Sequence, residues 1–274
     1  MQLPETPLQD RNFDDLADQF ARRVYGGSKG RIRLALLERD LREAVPGLYA
    51  EALHGEGLHG ELPRLRILDA GGGEGQFSQT LAERGHPVDL CDLSATMVER
   101  ASARVAAAGL EGRMRCFQAA VQDLPATGGY DLVLFHAVLE WVADPRATLL
   151  TVLQQVRPGG QLSLMFYNLH STVFRSVLRG FLDKVLAGDL RGKGRGLTPI
   201  SPLQPDEVLA WLQEAGLEVQ VRSGVRVFHD YLHHDMRKQQ DETALLALEM
   251  RYSRMEPYRS LARYYHVIAR KPEV

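Results

Sequence analysis

Apolar positions along the chain follow two periods. In residues 10–25 and 30–45 they recur at steps of three and four: Phe13, Leu16, Phe20 and Val24, then Ile32, Leu36, Leu37 and Leu41. That spacing predicts two amphipathic helices. The run Gly26-Gly27-Ser28-Lys29-Gly30 between them reads as a break. Residues 46–63, rich in Gly, His and Pro, read as a loop. Beyond it, short apolar runs predict strands at 65–69, 87–91, 114–119, 130–135, 160–167, 218–228 and 263–270. Helical spacing predicts helices at 75–84, 94–108, 144–156 and 205–215. Strand–helix alternation of this kind builds an α/β fold, a doubly wound parallel sheet. A helical stretch at 240–252 between the last two strands leaves an antiparallel ending open. Residues 171–200 break the alternation and read as an insertion after the fifth strand.

The turn after the first strand carries the first candidate chemistry. Leu68-Asp-Ala-Gly-Gly-Gly-Glu-Gly75 has four glycines in five positions. Bare backbone at the carboxyl end of a parallel strand is where such sheets take their ligands. A dinucleotide site asks for GxGxxG, and here the third glycine comes one residue early. Glu74 also puts a negative charge at the helix start, where a pyrophosphate would sit. The pattern hydrophobic-Asp-x-Gly-x-Gly-x-Gly instead resembles the first motif of class I S-adenosylmethionine (SAM) methyltransferases. That resemblance implies a Rossmann-like fold. It places Gly71, Gly72 and Gly73 against the amino-acid and ribose part of SAM, with Asp69 helping to anchor the site near the cofactor's ammonium.

Further signals follow in register. Asp92 closes the second strand 23 residues after Asp69. An acidic residue about 20 positions on is the usual partner of ribose hydroxyls, and Leu93 follows it toward the site. A plain turn is the alternative for Asp92, and helix capping the reading for Ser94. Ala120-Val-Gln-Asp-Leu124 occupies the adenine-flanking position of the family, so Val121 and Gln122 are assigned to the ring edge. Tyr130-Asp-Leu-Val-Leu-Phe-His136 ends strand four, which places His136 at the sulfonium edge as a lining residue rather than a base. Arg157-Pro-Gly-Gly matches the last shared motif, a turn into strand five, and Asn168 at that strand's end is a candidate substrate contact. These motifs span residues 64–168 and are silent on the acceptor.

Composition narrows the class but not the substrate. The chain has 274 residues, 45% apolar, enough for one domain over 1–274 with a sizeable core. Net charge is −2, so no global basicity marks nucleic acid. The insertion, however, carries Arg175, Arg179, Lys184, Arg191, Lys193 and Arg195 against Asp183 and Asp189. Two cysteines, Cys91 and Cys116, lie in apolar strand-like runs; reduced thiols are expected, and no metal site. The N-terminus is polar and acidic, unlike a signal peptide, and no apolar run reaches the length of a membrane span. The expectation is a cytoplasmic enzyme.

Segments outside the cofactor motifs sharpen the resemblance. DRNFDDLADQF, the Tyr25-Gly26 and Lys29-Gly30 pairs, FHAVLEWVADPR, SLMFYN, GVRVFHDYL and RYYHVIARKP all resemble the bacterial tRNA 5-carboxymethoxyuridine methyltransferases. The resemblance covers nearly the whole chain and is weakest at 46–63 and 171–200. It implies that SAM esterifies the carboxylate of 5-carboxymethoxyuridine at the tRNA wobble position, leaving S-adenosylhomocysteine (SAH). An acid of this kind has a pKa of roughly 4 and is already ionised at neutral pH, so no catalytic residue is called for. Orientation is, through Arg226, His229 and Tyr231. Alternation along a strand would put Arg226, Phe228 and Asp230 on one face and Val225, Val227 and His229 on the other, and is expected to fail near His229 at the strand's end. The helical pair at 10–45 would fold over the cofactor, with Arg33 clamping its carboxylate and Tyr25 lining the pocket. The partner would be the tRNA anticodon loop, held by Arg191-Gly-Lys-Gly-Arg195 and unstacked at the target base. Two other readings compete: a methyltransferase for a small-molecule carboxylate, amine or hydroxyl, and a SAM-binding protein without turnover.

Overall fold

The computed structural model describes residues 9–15, 27–49, 64–192 and 199–273. Seven strands form one sheet: β1 Ile67–Ala70, β2 Val88–Asp92, β3 Met114–Gln118, β4 Tyr130–His136, β5 Val156–Tyr167, β6 Glu218–Val225 and β7 Tyr264–Arg270. Their order is β3-β2-β1-β4-β5-β7-β6. The first five are parallel to their neighbours; β7 runs antiparallel to both β5 and β6. Chain order reverses between β1 and β4, so a crevice opens there at the carboxyl ends of the strands.

The helices are α1 Gly27–Ala44, α2 Gln76–Glu83, α3 Ala95–Ala107, α4 Pro145–Leu153, α5 Leu169–Leu178, α6 Leu182–Leu186, α7 Pro205–Glu214, α8 His234–Gln239, α9 Glu242–Tyr252 and α10 Tyr258–Leu261. Two apolar layers cover the sheet. Ile32, Leu36, Leu37 and Leu41 of α1 join Phe77, Leu81, Met165 and Ile268 on one face. Leu149, Val152 and Leu153 of α4 join Val208 and Leu212 of α7 on the other. β1 is buried along its whole length, as a central parallel strand covered on both faces must be.

Local chemistry sets the boundaries. Ser94 caps α3 by accepting from the Met97 N–H at 3.2 Å. Asp144 caps α4 by accepting from Ala147, and Pro145 opens that helix. The glycine–serine run expected to break the N-terminal helices does so only in part: α1 already begins at Gly27. Residues 10–15, expected to begin a helix, are irregular and end in a turn, and residues 16–26 lie outside those described. The Pro158-Gly-Gly160 turn sits within β5 as a register shift rather than before it. A Cβ on Gly160 would lie 3.0 Å from the Tyr130 carbonyl oxygen, so close backbone approach fixes that glycine. The expected strand at 218–228 stops at Val225, because Arg226 turns left-handed at φ 65°.

Candidate cofactor and acceptor site

The glycine turn is shaped from behind. Gly71, Gly73 and Gly75 all have positive φ, of 70°, 58° and 69°. A Cβ on Gly72 would lie 2.6 Å from the Asp69 carboxyl and 2.7 Å from Leu90 Cδ1. Asp69 therefore supports the underside of the turn and does not reach its ligand side, which corrects the ammonium-anchor expectation. Burial pushes its carboxyl up to about 7, against a hydrogen bond from Ser78. Glu74 is paired with Arg100 at 3.1 Å, so its charge does not stand alone at the start of α2.

Asp92 bridges the turn and the next helix. Its Oδ2 accepts from Gly73 N–H at 2.9 Å and its Oδ1 from Ser94 N–H at 2.9 Å. Burial pushes this carboxyl up, opposed by those two N–H groups. Ser94 is fully engaged: besides capping α3, its hydroxyl donates to Asp14 at 2.5 Å. Capping is thus its role.

Above the turn lies a cavity of about 950 Å³, counting the solvent at its mouth. Gly71, Gly72, Gly73, Asp92, Leu93, Val121, Gln122, His136 and Arg33 all line it, together with Phe77, Met97 and Trp141. The mixture of apolar walls with a few polar groups, at the carboxyl ends of the strands, suits a nucleoside ligand. Gln122 departs from expectation, because its side-chain nitrogen is committed to Asp10 at 2.7 Å and Thr148 at 3.1 Å. The N-terminal segment reaches this cavity, as the resemblance implied for residues 10–45, but its described residues 10–15 form no helix. Asp10, Arg11 and Phe13 line it. Asp10 accepts from the Ala143 N–H, and Phe13 meets the Trp141 ring edge-on at 4.9 Å.

A second polar centre lies one helical turn from Arg33. Lys29 on α1 feels Arg226 after β6, Arg175 on α5 and Arg237 on α8, and Lys29, Arg226 and Arg175 act on Asp230. Arg226 Nε is 2.9 Å from Asp230 Oδ2, with both side chains buried. Burial pushes Asp230 up, but the cations around it, Arg226 first and then Arg175 and Lys29, leave it below the usual range. Lys29 is pushed down, chiefly by burial. His229 is pushed down to about 4 by burial, so it is neutral at physiological pH; its Nε2 lies 3.0 Å from Ser28 Oγ.

This loop owes its shape to Glu249 of α9, a residue no motif flagged. Its buried carboxylate accepts the N–H groups of Val227, Phe228 and His229 at 2.6, 3.0 and 2.7 Å. The face alternation, expected to fail near His229, therefore already ends at Val225. Among the described residues the non-glycine positions with positive φ are Arg226 and Ala137, and Ala137 follows His136 directly. Strain of this kind concentrates at functional sites.

Two expected acceptor contacts are spoken for. Asn168 is fully buried; its Oδ1 caps α5 and its Nδ2 donates to the Ser260 and Ala262 carbonyls at 2.8 and 2.9 Å. Tyr231 donates its hydroxyl to the Leu261 carbonyl and lies 3.2 Å from Ser171 Oγ. Both hold β5, α5 and the approach to β7 together and leave no group for substrate. Tyr25, Lys193 and Arg195 lie outside the described residues.

Tyr264 connects the two centres. Arg33 lies 4.8 Å and Arg226 5.1 Å from its ring centre. Tyr167 meets Tyr264 edge-on at 5.5 Å, and Arg263 covers Tyr167 at 4.2 Å. Beyond them opens a basic cavity lined by Arg175, Arg179, Lys184, Arg191 and Arg263, with Asp189 as its single acid. The polar path thus runs from the cofactor cavity through two tyrosines to the insertion.

Residues 68–164 match the model of a methyltransferase domain family. Over 97% of its length the chain is 47% identical to tRNA 5-carboxymethoxyuridine methyltransferase of Escherichia coli K12, covering 98% of that protein. The chain belongs to the tRNA 5-carboxymethoxyuridine methyltransferase family. Its fold is that of class I methyltransferases, whose cofactor is SAM. Magnesium protoporphyrin IX methyltransferase from Synechocystis PCC 6803, solved with bound SAH, superposes with a TM-score of 0.60 at 16% identity, over 94% of this chain and 96% of that one. The [4+2]-cyclase SpnF matches equally well, TM-score 0.60 at 15% identity over 98% and 100% of the two chains. Fold alone therefore leaves the reaction open, and the full-length family match is what separates this chain from other users of the fold.

Proposed function

We propose that this chain methylates the carboxylate of 5-carboxymethoxyuridine in tRNA, forming the methyl ester. The observation that carries the reading is the cluster of Lys29, Arg226 and Arg175 one helical turn beyond the cavity above the glycine turn, in a chain of this family. The residues present fit the cofactor. The turn at 71–73 offers backbone with no Cβ, and Asp92 sits where ribose hydroxyls would donate. Arg33 is placed to take the carboxylate of the amino-acid part. When bound, SAM supplies an electrophilic methyl group.

The chain's own task is then alignment. The acceptor carboxylate is ionised at neutral pH and needs no base. Around it, Arg226 and Lys29 supply positive charge, and the ion pair with Asp230 tempers it. That balance orients an anion without quenching its nucleophilicity, and orientation is the main source of rate in such a transfer. Arg179, Lys184 and Arg191 offer cations to phosphates flanking the target base.

The test is to incubate the pure protein and SAM with tRNA from cells lacking the family's enzyme, then digest and weigh the nucleosides. Conversion of carboxymethoxyuridine to its methyl ester is expected. Binding of SAM without a methyl gain on any nucleoside would overturn the tRNA reading and favour a small-acid acceptor or a non-catalytic role.

A further inference from the structure

Glu249 lies on α9, fully buried, and both oxygens of its carboxyl serve backbone. Oε2 accepts from Val227 N–H at 2.6 Å; Oε1 accepts from Phe228 N–H at 3.0 Å and His229 N–H at 2.7 Å. Three successive N–H groups on one carboxyl bend the chain directly after Arg226. Just before it, Gly224 N–H donates to the Ser253 carbonyl at 2.6 Å, at the end of the same helix. The Arg226 carbonyl accepts from Arg263 N–H at 3.2 Å. Arg226 is thus held from both sides, and it sits at φ 65°. A side-chain-bearing residue keeps that conformation only where its surroundings fix it. So held, its guanidinium lies 2.9 Å from Asp230 and 5.1 Å from the Tyr264 ring centre.

The helix that supplies Glu249 is tied to α1 along its length. Arg31 of α1 pairs with Glu242 at the start of α9. Arg39 Nη1 donates to the Met250 carbonyl at 2.8 Å and to the Ser253 hydroxyl at 2.9 Å. Between them, Leu245 joins Ile32, Leu36 and Leu37 in the core. The loop itself returns to α1 where His229 Nε2 meets Ser28 Oγ at 3.0 Å. A closed frame results. Lys29 and Arg33 enter it from α1, Arg33 lining the cofactor cavity, and Arg226 enters from the loop. Glu249 sets the distance between the two sides. In-line transfer to an ionised carboxylate needs no base, so placement of the acceptor against that cavity is what the chain can supply.

We propose that Glu249 is a positioning residue for the methyl transfer: by gathering three N–H groups it holds Arg226 in its left-handed conformation, and so fixes the acceptor-orienting cation relative to Lys29, Arg33 and the cofactor cavity. This rests on the carboxylate-acceptor reading above. The effect is on alignment rather than affinity. The glycine turn and Arg33 hold the cofactor, the cations of the insertion hold phosphates, and neither set hangs on Glu249. A glutamine there keeps one oxygen and presents NH2 in place of the other, so at least one of the three N–H groups meets a donor.

The experiment uses the full chain as wild type, Glu249→Gln, Arg226→Ala and the double variant. Steady-state methylation of tRNA carrying unmethylated carboxymethoxyuridine gives kcat and KM, and direct binding gives Kd for SAH and for tRNA. Glu249→Gln is expected to lower kcat about ten- to a hundredfold, the scale of a misplacement of about 1 Å, with both Kd values within about twofold of wild type. The double variant is expected to be no slower than Arg226→Ala, because the two losses are one. A merely structural role gives losses that multiply, and that outcome overturns the proposal. So does an unchanged kcat in Glu249→Gln, or a loss confined to KM. If Glu249→Gln does not fold, Glu249→Asp, one methylene shorter, takes its place in the cycle with the same expected split. Hydrogen exchange on the wild type adds a reading that needs no variant: the amides of Val227, Phe228 and His229 should be protected together, and exchange at the rate of an open loop overturns the proposal. Wild-type protein that methylates no tRNA overturns the acceptor reading itself; wild-type activity with an unimpaired Glu249→Gln overturns this inference alone.

Discussion

Replacing Asp92 by Asn isolates the link between the glycine turn and cofactor binding. The carboxylate accepts from Gly73 N–H on one oxygen and Ser94 N–H on the other, both at 2.9 Å. An amide keeps one oxygen and presents an NH2 group in place of the second. Whichever way it turns, one backbone N–H faces another donor. A hydrogen bond to a charged group is worth roughly 1.5–3 kcal/mol. The same loss applies to one ribose hydroxyl, since the cofactor would find one acceptor where there were two. If only one such term reaches the binding equilibrium, Kd for SAH rises about ten- to a hundredfold. Titration calorimetry with SAH on wild type and Asp92→Asn measures it, and thermal melting of both proteins checks that the fold survives. The pH dependence gives an independent reading. Burial raises the Asp92 carboxyl in the unliganded protein, whereas ribose donors favour its ionised form. Wild-type affinity for SAH should fall as pH is lowered toward that raised pKa, and Asp92→Asn should lose the dependence. A Kd within twofold of wild type, in a folded variant, would refute the assignment of Asp92 to the ligand.

Other perturbations probe neighbouring parts. Asp69 has its folded pKa raised from 3.8 to about 7, so its neutral form is the stable one in the fold. Its contribution to stability is complete below pH 3.8 and is lost as pH rises to about 7, after which it levels off. Asp69→Asn should therefore melt higher than wild type without ligand, by a margin that grows from pH 4 to about pH 7 and is constant above it; a margin flat across that range contradicts the buried carboxyl. Gly72→Ala drives a methyl into Asp69 and Leu90; loss of SAH binding with a lowered melting temperature is expected, and normal binding would sink the account of the turn. Arg179→Glu with Arg191→Glu should weaken tRNA binding and lower its salt slope by about 1 for each phosphate no longer neutralised. SAH binding should be unchanged, and an unaltered salt slope would remove the basic cavity from the tRNA path.

The core of the fold was legible because βα alternation writes itself into the chain: each central strand is an apolar run, and the helices after β1, β2 and β4 start at a glycine or a capping side chain. Gly71–Gly73 and Asp92 were legible because a motif fixes both their identity and their distance from a strand end. What sequence pattern misread was set by long-range chemistry. Asn168 has the residue type of a substrate contact, yet its amide is consumed by carbonyls about 90 residues away. Period-2 reasoning failed after Val225 because Glu249, on a later helix, gathers three successive N–H groups into a loop. The hydrogen bond between Asp40 and His266, 226 positions apart, gave no local signal at all.

The central claim is that the methyl group goes to a carboxylate on tRNA. Its most direct test uses SAM labelled in the methyl group, with tRNA that carries unmethylated carboxymethoxyuridine, followed by mild alkali on the labelled product. An ester hydrolyses, so the account predicts that the label enters tRNA and leaves it quantitatively as methanol, regenerating the carboxylate nucleoside. Label that stays on the nucleoside through alkali would mean transfer to a hydroxyl or nitrogen, and would contradict the account.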